Sequence, residues 1–409
     1  MKKDYEILRE LAKQIAEISA LPLQEEKRAL WRSLNSLNPK RPMIMIDQVC
    51  WSEMNVDDEL TLQCEDKFCR NFENDLRIKL YQWKHFPVDK PVEPYILLHK
   101  NIQGTHFPID VKEIIAETDP KSSVRSHLYE DQFKTEEDLE RIFIPPLVYN
   151  EEETLSRFEK TNDIFGGILE VVLQGATPVN NVWDLISSWK GVESALYDII
   201  DRPEFIHKMV CKMTNEYHKA LDNLSAKNLL GPMQFDIHCT GAYSSELPKM
   251  NNKNETPQPK NMWTYGLAQM FSTVSPQMHD EFEIEYFKSW AARFGLVYYG
   301  CCDPLDGKID ILRKIPNLRK ISMSPWVNEA RGAEALGRDF VYSRKPNPAF
   351  LAWTDFDDDI IRKDLKATID TCKKFGCPCE LILKDISTVN YRPERLWRWA
   401  EIATELVSA

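Results

Sequence analysis

The chain is 409 residues long, 43% hydrophobic and 28% charged, which is enough apolar material for one large core or two ordinary ones. Its 64 acidic residues outnumber 52 basic ones, for a net charge of −12, and no basic block stands out. This balance argues against a nucleic-acid partner, because phosphate contacts need clustered Lys and Arg.

No apolar run is long enough to cross a bilayer, and the ten cysteines sit at irregular spacings that favour reduced thiols over a disulfide framework. A cytoplasmic protein without a membrane partner is expected. At the start of the chain, Ile7, Leu8, Leu11, Ile15 and Ile18 recur at helical spacing among charges. Residues 1–40 therefore read as a helical extension ahead of a main domain spanning 41–409.

From Arg41 onward, short β-branched or apolar runs alternate with amphipathic helical stretches, the mark of parallel strands joined by crossover helices. The runs are Pro42 to Asp47, Pro94 to His99, Ile164 to Leu173, Met233 to Cys239, Leu296 to Cys301, Leu318 to Ser324, Asp339 to Ser343 and Cys379 to Ile386. That series predicts an α/β fold, a single closed (β/α)8 TIM barrel. Between the runs, Phe205, Met209, Met213, Tyr217 and Leu221 mark one helix, and Pro276 to Phe294 predicts another. Gly241 to Met262 reads as a loop on the catalytic rim, and Asn101 to Tyr149 has no assignable pattern.

In such barrels the ends of the strands carry the chemistry. Alternation along Asp236-Ile237-His238-Cys239 puts Asp236 and His238 on one face, and the next run ends in Cys301-Cys302-Asp303. One His with two Cys leaves an open fourth position on zinc, so His238, Cys301 and Cys302 are candidate metal ligands. Buried thiols and a hydrogen-bonded core histidine are the competing reading. Asp236, Glu246 and Asp303 are candidate acids. Trp51, Trp263, Lys345 and Asp385 are candidate substrate contacts, the tryptophans as aromatic walls for a flat ring or a methylated ammonium. Lys345 or Lys384 could hold a carboxylate or close the barrel in an ion pair with an aspartate. Cys377 and Cys379 read as plain thiols.

The stretch from Ser275 to Leu351 resembles the uroporphyrinogen-decarboxylase superfamily. It carries Ser275-Pro276, then Val297-Tyr298-Tyr299-Gly300-Cys301-Cys302, then Ile321-Ser322-Met323-Ser324, Ala335-Leu336-Gly337 and Lys345-Pro346-Asn347-Pro348, in the family's order and spacing. The decarboxylases proper use an Arg-rich loop after the first strand. Here Asp47 to Glu53 holds two acids and no arginine, which disfavours a polycarboxylate tetrapyrrole.

The resemblance implies instead the branch that moves methyl groups to or from corrinoid proteins with the help of zinc. That branch has His-x-Cys where this chain has Tyr299-Gly300-Cys301, and lacks a match here for its later Cys. The expected function is methyl transfer between a small methylated substrate, such as an aryl methyl ether, amine or thiol, and cobalamin carried by a corrinoid protein partner. The expected zinc would sit on His238, Cys301 and Cys302. The alternatives are a metal-free decarboxylase or lyase of a small acid, and a ligand-binding barrel without turnover.

Overall fold

The computed structural model describes residues 2–116, 125–248 and 256–408. Ten strands position the site: β1 (Met43–Ile46), β2 (Tyr95–His99), β3 (Glu170–Gln174), β4 (Asp236–Ile237), β5 (Thr240–Gly241), β6 (Trp263–Gly266), β7 (Leu296–Tyr299), β8 (Leu318–Met323), β9 (Val341–Arg344) and β10 (Cys379–Leu383). Five helices matter to them: α1 (Lys2–Ser19), α2 (Pro22–Asn35), α3 (Lys67–His85), α4 (Glu151–Phe165) and α5 (Val182–Lys190).

Six strands form one parallel sheet in the order β1-β10-β9-β8-β7-β6, and β2 pairs in parallel with β3 as a separate sheet. Single parallel bridges at Ala176 with Leu230 and at Asn180 with Gly266 link this second region toward β6. Among the described residues no ladder joins β1 to β2, so the expected closed barrel is corrected to a barrel-like arrangement with an open seam. Asp89 explains the seam. Its backbone N–H donates to the Ile44 carbonyl at 2.9 Å and its carboxylate accepts from the Ile44 N–H at 2.8 Å, so the exposed edge of β1 is satisfied without a neighbouring strand. Arg41 clamps the same carboxylate at 2.6 and 2.9 Å.

Period-two alternation sorts the sheet's side chains. Ile44, Val297, Tyr299, Ile321, Met323, Tyr342, Leu381 and Leu383 face the covering helices, in the main core. Met43, Met45, Val341 and Ile382 face inward and pack on Trp31 and Leu34 of α2, which plug the N-terminal end. Above this plug lies a polar layer. Lys320 meets Glu380 at 2.8 Å with both side chains fully buried, and the Thr240 and Ser343 hydroxyls also donate to the Glu380 carboxylate. Removing either partner would strand a buried charge, at a cost of about 3–5 kcal/mol. Meanwhile α1 packs across α3 and α4, burying Leu8, Leu11 and Ile15 against Leu76, Ile164 and Phe165.

One predicted strand is replaced. The run Met233 to Cys239 is no barrel strand: β4 and β5 form a two-residue antiparallel pair turning at His238 (φ 44°) and Cys239 (φ 70°). The barrel position belongs to β6, which begins immediately after the segment read as a rim loop. The run Ile164 to Leu173 divides, with Ile164 and Phe165 ending α4 and the strand starting at Glu170. The Pro203–Ala226 helix forms as its periodicity predicts. The helix from Pro276 runs to Ala291 and contains a π-turn at Asp280–Ile284.

Candidate active site

Cys301, Ser324, Lys345 and Lys384 each follow or end a parallel strand, so they converge at the C-terminal end of the sheet. Gly300 makes this possible for Cys301. Tyr299 points outward into the core, where its hydroxyl bonds His279 Nε2 at 2.7 Å. Gly300 then takes φ 92°, turning the chain so that the following thiol reaches the inner side.

Here a compact charged cluster forms. Lys384 Nζ lies 3.0 Å from Cys301 Sγ, Cys301 Sγ lies 3.6 Å from Cys302 Sγ, and Cys302 Sγ lies 3.3 Å from Asp385 Oδ2. Cys301 and Lys384 are buried, while Asp385 is half-exposed and held in a left-handed turn at φ 56°. The Cys302 thiol, donating to its neighbour, holds the Cys301 thiol well below the ordinary range, and His238 and the Lys384 ammonium outweigh the opposing effect of burial. Cys302, as the donor, is pushed upward. Burial works against the charge on Lys384, but Cys301, Cys239 and Asp385 raise its pKa above that of an ordinary lysine. Both shifts favour a thiolate facing an ammonium.

Around it stand groups with softened protonation. Burial pulls His238 down, so its ring is neutral, and that ring lies 4.6 Å from Tyr265 and 5.3 Å from Tyr298. On α5, burial pushes Asp184 up to about 6, and Gln269 Nε2 approaches its carboxylate at 3.3 Å. Asp184 feels both Cys301 and Lys384. Asp184, Gln269 and Tyr265 were not singled out in the sequence. Asp184 belongs to a helix rather than a strand end, and no local pattern marks it.

The other expected residues divide. Trp51 lines a cavity at the seam, packed edge-on against Tyr81 at 5.8 Å, and Asp47 and Asp236 open into the same cavity. Glu53 is instead buried, accepting from Thr388 Oγ1 at 2.9 Å and Val389 N at 2.8 Å, so it fastens the segment after β10. Lys345 is buried with its ammonium 2.6 Å from Ser343 Oγ and 5.2 Å from the centre of the Tyr298 ring. Asp303 sits under the turn, accepting from Cys301 N at 3.2 Å, and burial pushes it up to about 6.

Two expectations are corrected outright. Glu246 is no rim acid: it holds Arg319 at 2.7 and 2.9 Å beside the N-terminal end of β8, opposite the thiols. Trp263 is no aromatic wall. It starts β6, is fully buried, and donates its indole N–H to the Ala242 carbonyl at 2.8 Å. The described part of the Gly241 to Met262 segment lies at that same end, where Asn35 Nδ2 bonds the Gly241 and Tyr243 carbonyls. Residues 249–255 of it lie outside the described residues.

Zinc does not fit these residues as arranged. His238, Cys301 and Cys302 come together, yet among the described residues no group of three or more His, Cys, Asp or Glu side chains is set to hold a metal ion. Lys384 occupies the approach to Cys301, Asp385 engages Cys302, and the buried Nε2 of His238 has no partner. A positive charge already stands where a ligated ion would supply one.

No family model matches the chain, and no curated protein matches it. Among the described residues no helix is long and apolar enough to cross a membrane. Among solved structures, a methyltransferase from Methanosarcina mazei superposes with a TM-score of 0.50 at 11% sequence identity, covering 92% of this chain and 97% of that one. The likeness is one of fold, spanning nearly the whole of both chains.

Proposed function

We propose that the protein is a methyltransferase that takes a methyl group from a small methylated substrate and delivers it to a corrinoid protein docked over the strand ends. The observation that carries this reading is the buried Lys384 ammonium held 3.0 Å from Cys301 Sγ at the C-terminal end of the sheet. The fold shared with the M. mazei methyltransferase and the motifs from Ser275 to Leu351 support it.

In methyl transfer the carbon–heteroatom bond breaks and its electron pair stays on the departing oxygen, nitrogen or sulfur. The acceptor supplies the pair for the new bond to carbon. Positive charge or a proton beside the departing atom therefore lowers the barrier. Cys301 keeps Lys384 ionised in a buried setting, so that its charge is permanent. Asp184, with a carboxyl near 6, is suited to pass a proton to the heteroatom. His238 is neutral and fills the space beside the thiolate.

The test is single-turnover formation of methylated corrinoid from aryl methyl ether, methylamine and methyl thioether donors. The wild-type protein should transfer from at least one donor class, and Cys301→Ser should slow that transfer by about 10²-fold through loss of the charge partner. Equal rates in the two proteins would remove the thiolate from the mechanism. Absence of transfer from every donor class would defeat the reading.

A further inference from the structure

The open seam between β1 and β2 encloses a cavity of about 360 Å³, within the range of small-ligand sites. Its wall includes both signs of charge: Asp75 and Lys79 from α3, Lys90 from the segment before β2, and Asp236 from β4. The rings of Trp51 and Tyr95 line the same cavity, Tyr95 stacked on Phe235.

The charged groups on this wall are not equally treated. Glu93 is engaged by Arg28 at 2.9 Å and by the Tyr243 hydroxyl at 2.6 Å. Lys27 donates to the Val88 carbonyl at 2.7 Å and lies 5.2 Å from the centre of the Trp83 ring. By contrast, Lys90 and Asp236 approach only to 3.9 Å, beyond hydrogen-bond reach, with side chains 30% and 43% exposed. Lys79 has no ion-pair partner within 4.0 Å among the described residues, although Asp75 lies one turn before it on the same helix.

These four groups line the cavity, and among the described residues none has an ion-pair contact shorter than 3.9 Å. Crowding by the wall raises the pKa of Asp75 and lowers that of Lys79, which also feels Lys90. A simple cation would leave Lys79 and Lys90 uncompensated, and a simple anion would leave Asp75 and Asp236, with Asp47 also on the wall. A molecule bearing both charges serves all four.

We infer that the seam cavity binds a small zwitterion, an amino acid or its N-methylated form, with its carboxylate toward Lys79 and Lys90 and its ammonium toward Asp75 and Asp236. The Trp51 and Tyr95 rings in the wall suit N-methyl groups, whose spread positive charge is attracted to aromatic rings. The hairpin that carries Asp236 on the cavity wall also carries His238, which interacts with Cys301. That the zwitterion is the methyl donor rests on the function proposed above. That it binds does not.

Titration calorimetry on the full chain tests this with trimethylglycine as zwitterion, choline as cation alone and 3,3-dimethylbutyrate as anion alone. Trimethylglycine should bind roughly tenfold or more tightly than either single-charge probe. Lys79→Gln and Asp75→Asn, both on the solvent-accessible helix α3, should each weaken it by about tenfold while leaving the thermal melt in place. Undetectable trimethylglycine binding, or equal binding of a single-charge probe, overturns the inference. So does unchanged affinity in both variants. Binding without methyl loss to a corrinoid leaves the cavity's assignment standing and removes the zwitterion as donor. Transfer from a donor that competes with no probe leaves the methyltransferase reading standing and removes the cavity as the donor site.

Discussion

At the scale of single residues, the chemistry rests on what burial does to a few ionisable groups. Asp184 is the sharpest example, since burial pushes its carboxyl up to about 6 against the opposing Gln269 amide. If Asp184 gives a proton to the departing heteroatom, the active form is the protonated one. The single-turnover rate should then be highest below pH 6 and fall as pH rises through that value, and Asp184→Asn should flatten the profile. A profile that rises across the same interval in the wild-type protein would assign the limb to a base. The sequence pointed to Cys301, Cys302, His238 and Asp385 because they stand where strands should end. It could not show that Lys384, 83 positions away, would meet Cys301. That contact depends on β7 and β10 facing one another across the interior.

At the scale of elements, local backbone conformation decides which residues reach the site. The spacing around Val297 to Cys302 was readable, and so were the parallel strands on either side, because each alternates over four or more residues. Met233 to Cys239 alternates equally well, yet the left-handed residues His238 and Cys239 fold it into a hairpin that enters the interior. Its true counterpart, Trp263 to Gly266, was hidden by its shortness and its Asn- and Pro-rich neighbours. The Gly300 turn carries a direct test. At φ 92°, an added Cβ would lie 2.3 Å from Leu305 Cδ1, so Gly300→Ala should destabilise the fold by about 1–2 kcal/mol and misplace Cys301. Gly307→Ala is the matched control: its nearest neighbour would be 3.5 Å away at Arg331, and its stability should stay within about 0.5 kcal/mol of wild type. Urea denaturation midpoints separate the two, and an unchanged midpoint for Gly300→Ala would contradict the account of this turn.

At the scale of the whole molecule, the design is a parallel sheet sealed at one end and charged at the other. Trp31 and Leu34 of α2 close the N-terminal end, and Lys320 with Glu380 forms a polar floor above them. The seam left by Asp89 opens a side cavity whose wall includes Asp47, Trp51 and Asp236. Alternating strands and helices made the α/β class legible, but not the seam, because closure depends on one carboxylate substituting for a strand. The central claim is that an ammonium on a thiolate, rather than a zinc ion, supplies the positive charge for methyl transfer. The most direct measurement compares single-turnover methyl transfer in chelator-stripped wild-type protein and in Lys384→Met, with metal content verified by elemental analysis. The account predicts that stripped wild type keeps its full rate while Lys384→Met falls by about 10²-fold. Loss of activity on stripping, restored by one equivalent of zinc, would contradict it.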